Sequence, residues 1–101
     1  MLTVQILPEH ILLTEGLRGT FPGWEGNLAA TVIVTYCMSK QAWVPFTMGD
    51  LTEWMKLFSS AQDGIYILLG YGYLTEGKGG QLQVTEDFVR LCYQKHPHPR
   101  L

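Results

Sequence analysis

Apolar residues recur at the spacing of one helix face in the middle of the chain, where the helix signal is clearest. Four of them follow the i, i+3, i+4, i+7 pattern of an amphipathic helix: Leu51, Trp54, Met55 and Phe58. Thr47 stands ahead of this stripe as a helix N-cap, and Asp50 lies three positions on, where a carboxylate favours the free backbone N–H groups. The pattern predicts a helix that begins near Thr47 and ends at Ser59.

The segment before this helix gives a mixed signal. Residues 28–40 place apolar side chains at helical spacing behind Asn27, a favourable N-cap. The β-branched run at residues 31–35 favours a strand instead. A segment of about a dozen residues without a turn signal is more typical of a helix, so we predict a helix over residues 28–40.

Helical spacing predicts two more helices further along the chain. One covers residues 59–69, with Ile65, Leu68 and Leu69 on its buried face. The other follows Thr85, which can cap it, and is ended by the prolines of residues 96–99. Ten residues are expected to share one core: Leu51, Trp54, Met55, Phe58, Ile65, Leu68, Leu74, Leu82, Phe88 and Leu91.

The remaining segments read as a hairpin, a loop and an ambiguous arm. Residues 71–75 and 80–84 flank a glycine-rich turn, which predicts two short antiparallel strands. At the N-terminus, residues 3–7 alternate like a strand, whereas Pro8 and Glu9 favour a short helix that Gly16 ends. We predict a mainly helical α+β fold. Its expected parts are an arm and a glycine-rich aromatic loop at 1–26, a folded domain at 27–96 and a tail at 97–101.

Composition limits the class of protein. The chain of 101 residues is 47% hydrophobic and 16% charged, which is typical of one globular domain and excludes an intrinsically disordered chain. Its formal net charge of -2 gives no overall attraction to nucleic acid or to anionic membranes. Cys37 and Cys92 lie in apolar segments, so buried thiols are expected rather than a disulfide. Without a secretory signal pattern in residues 1–7 or a long apolar run, we expect a cytoplasmic protein and no membrane partner.

Three stretches carry a resemblance to a known family. Residues 45–51 (PFTMGDL) look like the entry into a second helix, and residues 68–74 (LLGYGYL) look like a third helix that passes into a wing. Residues 81–88 (QLQVTEDF) look like the return strand of the wing and the start of a last helix. In this order they resemble the winged-helix variant of the helix-turn-helix fold, over about residues 27–96. The resemblance implies DNA binding, with the third helix in the major groove and the wing tip on the backbone.

The third helix departs from that pattern. Major-groove helices use Arg, Lys, Asn or Gln to reach bases and phosphates, but residues 59–70 contain neither Arg nor Lys, and Asp63 repels phosphate. The candidate DNA contacts reduce to Ser60, Gln62 and Lys78. A DNA-binding transcriptional regulator is therefore the alternative hypothesis rather than the first.

Aromatic and apolar residues outside the predicted core favour a protein partner or self-association, for example as a dimer. Four residues are the candidate anchors: Phe21, Trp24, Tyr66 and Ile67. The alternatives are that the loop holding the first two caps the core, and that the N-terminal arm covers the other two. We assign no catalytic residue and expect no cofactor, because the glycine pairs lack complete phosphate-binding motifs. We expect no metal, because His96 and His98 fall short of the four ligands of a structural zinc site. The leading hypothesis is a non-enzymatic winged-helix module that acts through protein–protein contacts.

Overall fold

The computed structural model describes residues 16–57 and 59–95, and these form four α-helices and a two-stranded antiparallel sheet. In chain order the elements are α1 (Gly23–Lys40), a 3₁₀ turn (Gly49–Leu51), α2 (Thr52–Leu57), α3 (Ala61–Gly70), β1 (Leu74–Glu76), a 3₁₀ turn (Lys78–Gly80), β2 (Leu82–Val84) and α4 (Glu86–Lys95). The mainly helical α+β class is confirmed. The strand and helix expected in residues 1–15, the tail at 97–101 and Phe58 lie outside the described residues.

Helix α1 begins earlier than predicted and passes through the position expected to cap it. It starts at Gly23 behind Pro22, whereas the sequence predicted a loop up to Gly26 and a helix from residue 28. Asn27 is buried inside the helix, where its side-chain oxygen accepts a hydrogen bond from the Phe21 backbone N–H at 3.4 Å. Its amide therefore ties down the preceding loop instead of starting the helix.

The β-branched run of α1 is compatible with a buried helix because its threonines bond to the backbone of the same helix. The hydroxyl of Thr31 donates to the Asn27 carbonyl at 2.9 Å, and that of Thr35 donates to the Thr31 carbonyl at 2.8 Å. These bonds satisfy the polar atoms of side chains that are almost fully buried. Helix α1 is buried on most sides, and it ends at Lys40, after which Gln41 adopts a left-handed conformation as the C-cap.

Helices α1 and α3 cross in close contact at Gly64. A Cβ atom at Gly64 would overlap the Glu25 carbonyl oxygen and would lie 2.7 Å from the Ala29 Cβ. Only a glycine leaves room for the α1 backbone at this distance. Gly64 is buried, on the side of the helix that also buries Ile65 and Leu68.

The start of the second helix follows the predicted capping pattern. The Asp50 backbone N–H donates to the Thr47 hydroxyl at 3.2 Å, and the Thr47 N–H donates to the Asp50 carboxylate at 2.8 Å. This reciprocal pair is a capping box, followed by one 3₁₀ turn before α2. Leu51 is fully buried, while Trp54 and Met55 are half-buried at the edge of the core rather than inside it.

The hairpin is shorter than predicted and gains a third contact. Strands β1 and β2 pair with Thr75 opposite Gln83, and Phe46 forms an isolated antiparallel bridge to Leu82 on the other edge of β2. The two backbone bonds of that bridge measure 2.9 and 2.7 Å. The link before α2 is thereby fixed to the sheet, and Phe46 is fully buried.

The core combines predicted and unpredicted residues. Of the ten expected residues, six are buried: Leu51, Ile65, Leu68, Leu74, Leu82 and Phe88. Leu91 is only half-buried. The sequence missed the contribution of Leu17, Phe21 and Phe46, which come from loop and link segments without a periodic pattern. Cys37 and Cys92 are buried free thiols, as expected.

Candidate interaction surface

The four predicted partner-binding residues do not form one patch. Phe21 is only 3% exposed, and its ring packs 4.8 Å from that of Phe88 and 5.5 Å from that of Tyr73. Ile67 is half-buried, with a methyl group 3.5 Å from where a Cβ on Gly26 would lie. Phe21 is thus a core residue that a partner cannot reach, because the loop caps the core, and Ile67 belongs partly to the α1–α3 contact.

Trp24 and Tyr66 remain as exposed aromatic side chains, at 63% and 65% exposure. Helix α1 meets α3 through Glu25, Gly26 and Ala29. At about 100° per residue, helix geometry turns Trp24 away from α3 and turns Tyr66 away from α1. Each is therefore a separate candidate anchor on an outer side of the helix pair.

The candidate DNA contacts are distributed over two elements. Ser60 is half-buried next to the start of α3, and Gln62 is exposed in its first turn, next to the exposed Asp63. Lys78 is exposed in the turn of the hairpin. The outer side of α3 is thus polar, acidic and aromatic, and it carries no cation.

Several of the described cations are engaged by neighbouring side chains. Lys56 forms an ion pair with Glu53 at 3.2 Å, and Arg90 forms one with Asp87 at 2.9 Å. The Lys40 ammonium lies 5.5 Å from the centre of the Tyr36 ring. These exposed pairs contribute little to stability, but each places a carboxylate or an aromatic ring beside a charge that phosphate contacts would need.

A chain of aromatic contacts crosses the molecule, and sequence reasoning did not anticipate it. Successive rings lie between 4.8 and 6.4 Å apart in the order Tyr71, Tyr73, Phe21, Phe88, Trp43 and Tyr93. Its two ends, Tyr71 and Tyr93, are exposed. The members come from a loop, a link, the hairpin and α4. The pattern within any one segment could not have revealed their contact.

The environment of the two thiols raises their pKa values and makes them unreactive. Burial raises the pKa of Cys92 to about 12, and the nearby Cys37 adds to that shift. Burial likewise raises the pKa of Cys37, against a backbone hydrogen bond from Val44 that lowers it. Both thiols stay protonated near neutral pH, and a protonated thiol is a poor nucleophile.

No protein-family model, curated protein or solved structure matches the chain. Within residues 16–57 and 59–95, no group of three or more His, Cys, Asp or Glu side chains is arranged to hold a metal ion. No helix in that same part of the chain is long and apolar enough to span a membrane.

Proposed function

We propose that the chain is a non-enzymatic winged-helix module that acts through protein–protein contacts. The observation that carries the proposal is the exposure of Trp24 and Tyr66 on helices whose other sides are packed into the core. Large aromatic side chains dominate the binding energy of protein interfaces. Leaving them in water gives up part of the roughly 1.5–3 kcal/mol that burial of a large apolar side chain contributes.

The order of the elements supports the winged-helix part of the proposal. Helix α1 would be the first helix, α2 and α3 the helix-turn-helix pair, and the hairpin the wing, with α4 after it. Phe46, in the link that joins α1 to α2, forms a strand-like bridge to Leu82 of the wing. In this arrangement the outer side of α3 is the surface that a DNA-binding relative would present to the major groove.

The charges on that surface favour a protein over DNA. Specific DNA binding draws much of its affinity from several Lys and Arg contacts to phosphate. Helix α3 contributes Gln62, Asp63 and Tyr66 to its outer side, and Lys78 is the candidate phosphate contact of the hairpin. DNA binding remains the alternative function, supported by Lys78, Gln62 and the order of the elements.

Substitution of the two exposed aromatics tests the proposal. We expect Trp24→Ser and Tyr66→Ser each to weaken association at least tenfold, the effect typical of an interface anchor, with little change in melting temperature. Sedimentation velocity measures self-association, and titration of a cross-linked and identified partner measures binding to another protein. Tyr71→Ser is the matched control, because it removes a tyrosine of nearly equal exposure, 66%, outside α3.

A DNA titration separates the two functions. Fluorescence anisotropy with duplex DNA at about 50 and 200 mM salt should show no specific complex. Binding that falls steeply with salt and is weakened by Lys78→Gln, but not by Lys56→Gln, would overturn the protein-contact proposal in favour of DNA recognition. An association that neither Trp24→Ser nor Tyr66→Ser weakens would also contradict it.

A further inference from the structure

An open cleft lies between the start of the second helix and α3. Its volume is about 370 Å³, and it is lined by Met48, Gly49, Thr52, Met55, Lys56 and Gln62. The segment that leads into α2 and α2 itself provide most of the lining, and Gln62 belongs to the first turn of α3. This volume is at the lower end of the range for ligand pockets, about 300–1,000 Å³. The cleft therefore suits a few side chains of a protein segment.

Two methionines give the cleft its apolar character. Met48 and Met55 are half-buried and pack against the hydrophobic core, and both line the cleft. Methionine has three rotatable bonds and a polarisable sulfur, which let it adapt to apolar groups of different shapes. The cleft can therefore accept a large apolar side chain such as leucine, phenylalanine or methionine.

The charges differ between the α2 side and the α3 side of the cleft. Lys56 is the charged residue among the six that line the cleft, and its ammonium is already paired with Glu53 at 3.2 Å. Asp63 follows Gln62 directly and is exposed in the first turn of α3, a helix with neither Lys nor Arg. The α2 side is thus electrically balanced, whereas the α3 side carries a negative charge.

Tyr66 lies between the cleft and the Asp63 carboxylate on the surface of α3. At about 100° per residue, Tyr66 is about 40° round the helix from Gln62 and about 60° from Asp63. Residues three or four positions apart are neighbours on a helix, with Cβ atoms about 5–6 Å apart. The Tyr66 ring is 65% exposed. An exposed ring beside a carboxylate attracts a Lys or Arg side chain both by the face of the ring and by the opposite charge.

We propose that this cleft, with Tyr66 and Asp63 beside it, binds a segment of a partner protein that carries a large apolar side chain and a nearby lysine or arginine. The inference rests on the proposed function, since it names the class of partner that the outer side of α3 would bind. The apolar side chain enters the cleft beside Met48 and Met55, and the basic side chain reaches the Tyr66 ring and the Asp63 carboxylate. The negative charge that attracts such a segment also repels the phosphates of DNA.

Two synthetic peptides test the site on the full chain. The probe is a leucine–lysine peptide of about 14 residues, roughly four helical turns, with leucine at the i, i+3, i+4, i+7 spacing of one helix face. Its counterpart carries glutamate in place of every lysine. By isothermal titration calorimetry we expect the lysine peptide to bind at least tenfold more tightly than the glutamate peptide, because the charges on the α3 side favour a cation. The difference should shrink when the salt concentration rises from about 50 to about 200 mM.

Matched variants of the chain separate this site from the rest of the surface. Met55→Ser should weaken binding of the lysine peptide at least tenfold, whereas Met55→Leu keeps an apolar side chain and should retain it. Met38→Ser changes a half-buried methionine of α1 outside the cleft and should have no effect. Asp63→Asn should weaken binding about two- to fivefold, and Glu76→Gln, which removes an exposed carboxylate from β1, should not. The melting temperature of each variant shows that it is folded during the titration.

The outcomes that overturn the inference differ from those that overturn the proposed function. Equal binding of the two peptides refutes the charge preference, and binding that Met55→Ser leaves unchanged, or that Met55→Leu also abolishes, refutes the apolar site. Equal weakening by Asp63→Asn and Glu76→Gln would show a general effect of net charge and would refute the contact with α3. If Tyr66→Ser weakens association with an identified partner but Met55→Ser does not, the cleft is not the site and the proposed function stands.

Discussion

The close crossing at Gly64 predicts a large effect from the addition of a single methyl group. In Gly64→Ala the new Cβ would overlap the Glu25 carbonyl oxygen and lie 2.6 Å from its carbon. Real Cβ atoms essentially never approach other atoms within 3.0 Å, so α1 and α3 must move apart. The atoms in the way belong to the Glu25 backbone, so no change of side-chain rotamer can relieve the overlap.

Two opposing effects determine how much Gly64→Ala changes the free energy of unfolding. Alanine is more favourable than glycine inside a helix by about 1 kcal/mol, which would stabilise the variant. Overpacking in a core costs typically 1–3 kcal/mol and more when backbone must shift, and here it disrupts the contact between the most buried helix and α3. We expect a net loss of roughly 2 kcal/mol, which in a domain of this size lowers the melting temperature by about 8–16 °C.

Thermal and urea unfolding of Gly64→Ala measure this loss, and Gly70→Ala provides the control. Gly70 ends the same helix, its backbone is not left-handed, and a Cβ there would meet nothing within 4 Å. That variant should be as stable as the parent, or more stable by up to about 1 kcal/mol. If Gly64→Ala unfolds at or above the parent temperature, the helices do not cross at this distance and the packing described above is wrong.

Four further predictions concern the core and the cap of the second helix. Thr47→Ala should lower the free energy of unfolding by about 1 kcal/mol in urea titrations, because the hydroxyl of Thr47 caps the Asp50 N–H. Phe88→Ala should cost about 3–5 kcal/mol, measured in the same way, because the ring is fully buried. Cys37 and Cys92 should react with a thiol reagent only after unfolding. Since the folded pKa of Cys92 is raised to about 12, the unfolded chain ionises first, and stability measured by urea unfolding should fall as the pH rises above about 9.

The features that the sequence predicted correctly are those fixed by neighbours along the chain. The capping box at Thr47 needs only a residue three positions away, and the burial of Ile65 and Leu68 follows from one helix face. The hairpin turn likewise depends on a few consecutive residues, although its strands proved shorter than predicted. Such interactions between residues close in sequence are the same in any fold that places the segment in a helix or a hairpin.

The features that were missed depend on contacts between distant segments. Phe21 was a candidate anchor because it lies in a glycine-rich loop, but Tyr73 and Phe88 enclose it. The burial of Gly64 could not be predicted, because nothing near it in sequence shows that α1 passes within contact distance. The side chain of Asn27 could cap a helix, but its oxygen accepts a hydrogen bond from the Phe21 N–H and does not cap α1. In each case tertiary packing decides between two locally acceptable roles.

Packed residues and exposed residues lie on opposite sides of α3. Gly64, Ile65 and Leu68 fix the helix against α1 and the core, whereas Gln62, Asp63 and Tyr66 lie on its outer side. Substitutions on the outer side should leave the packed side in place, since exposed positions contribute little to unfolding free energy. Under the function proposed above, a change of partner would therefore require only new outer side chains on the same buried framework. The acidic and aromatic side chains on the outer side of α3 are the reason that the proposal favours a protein over DNA.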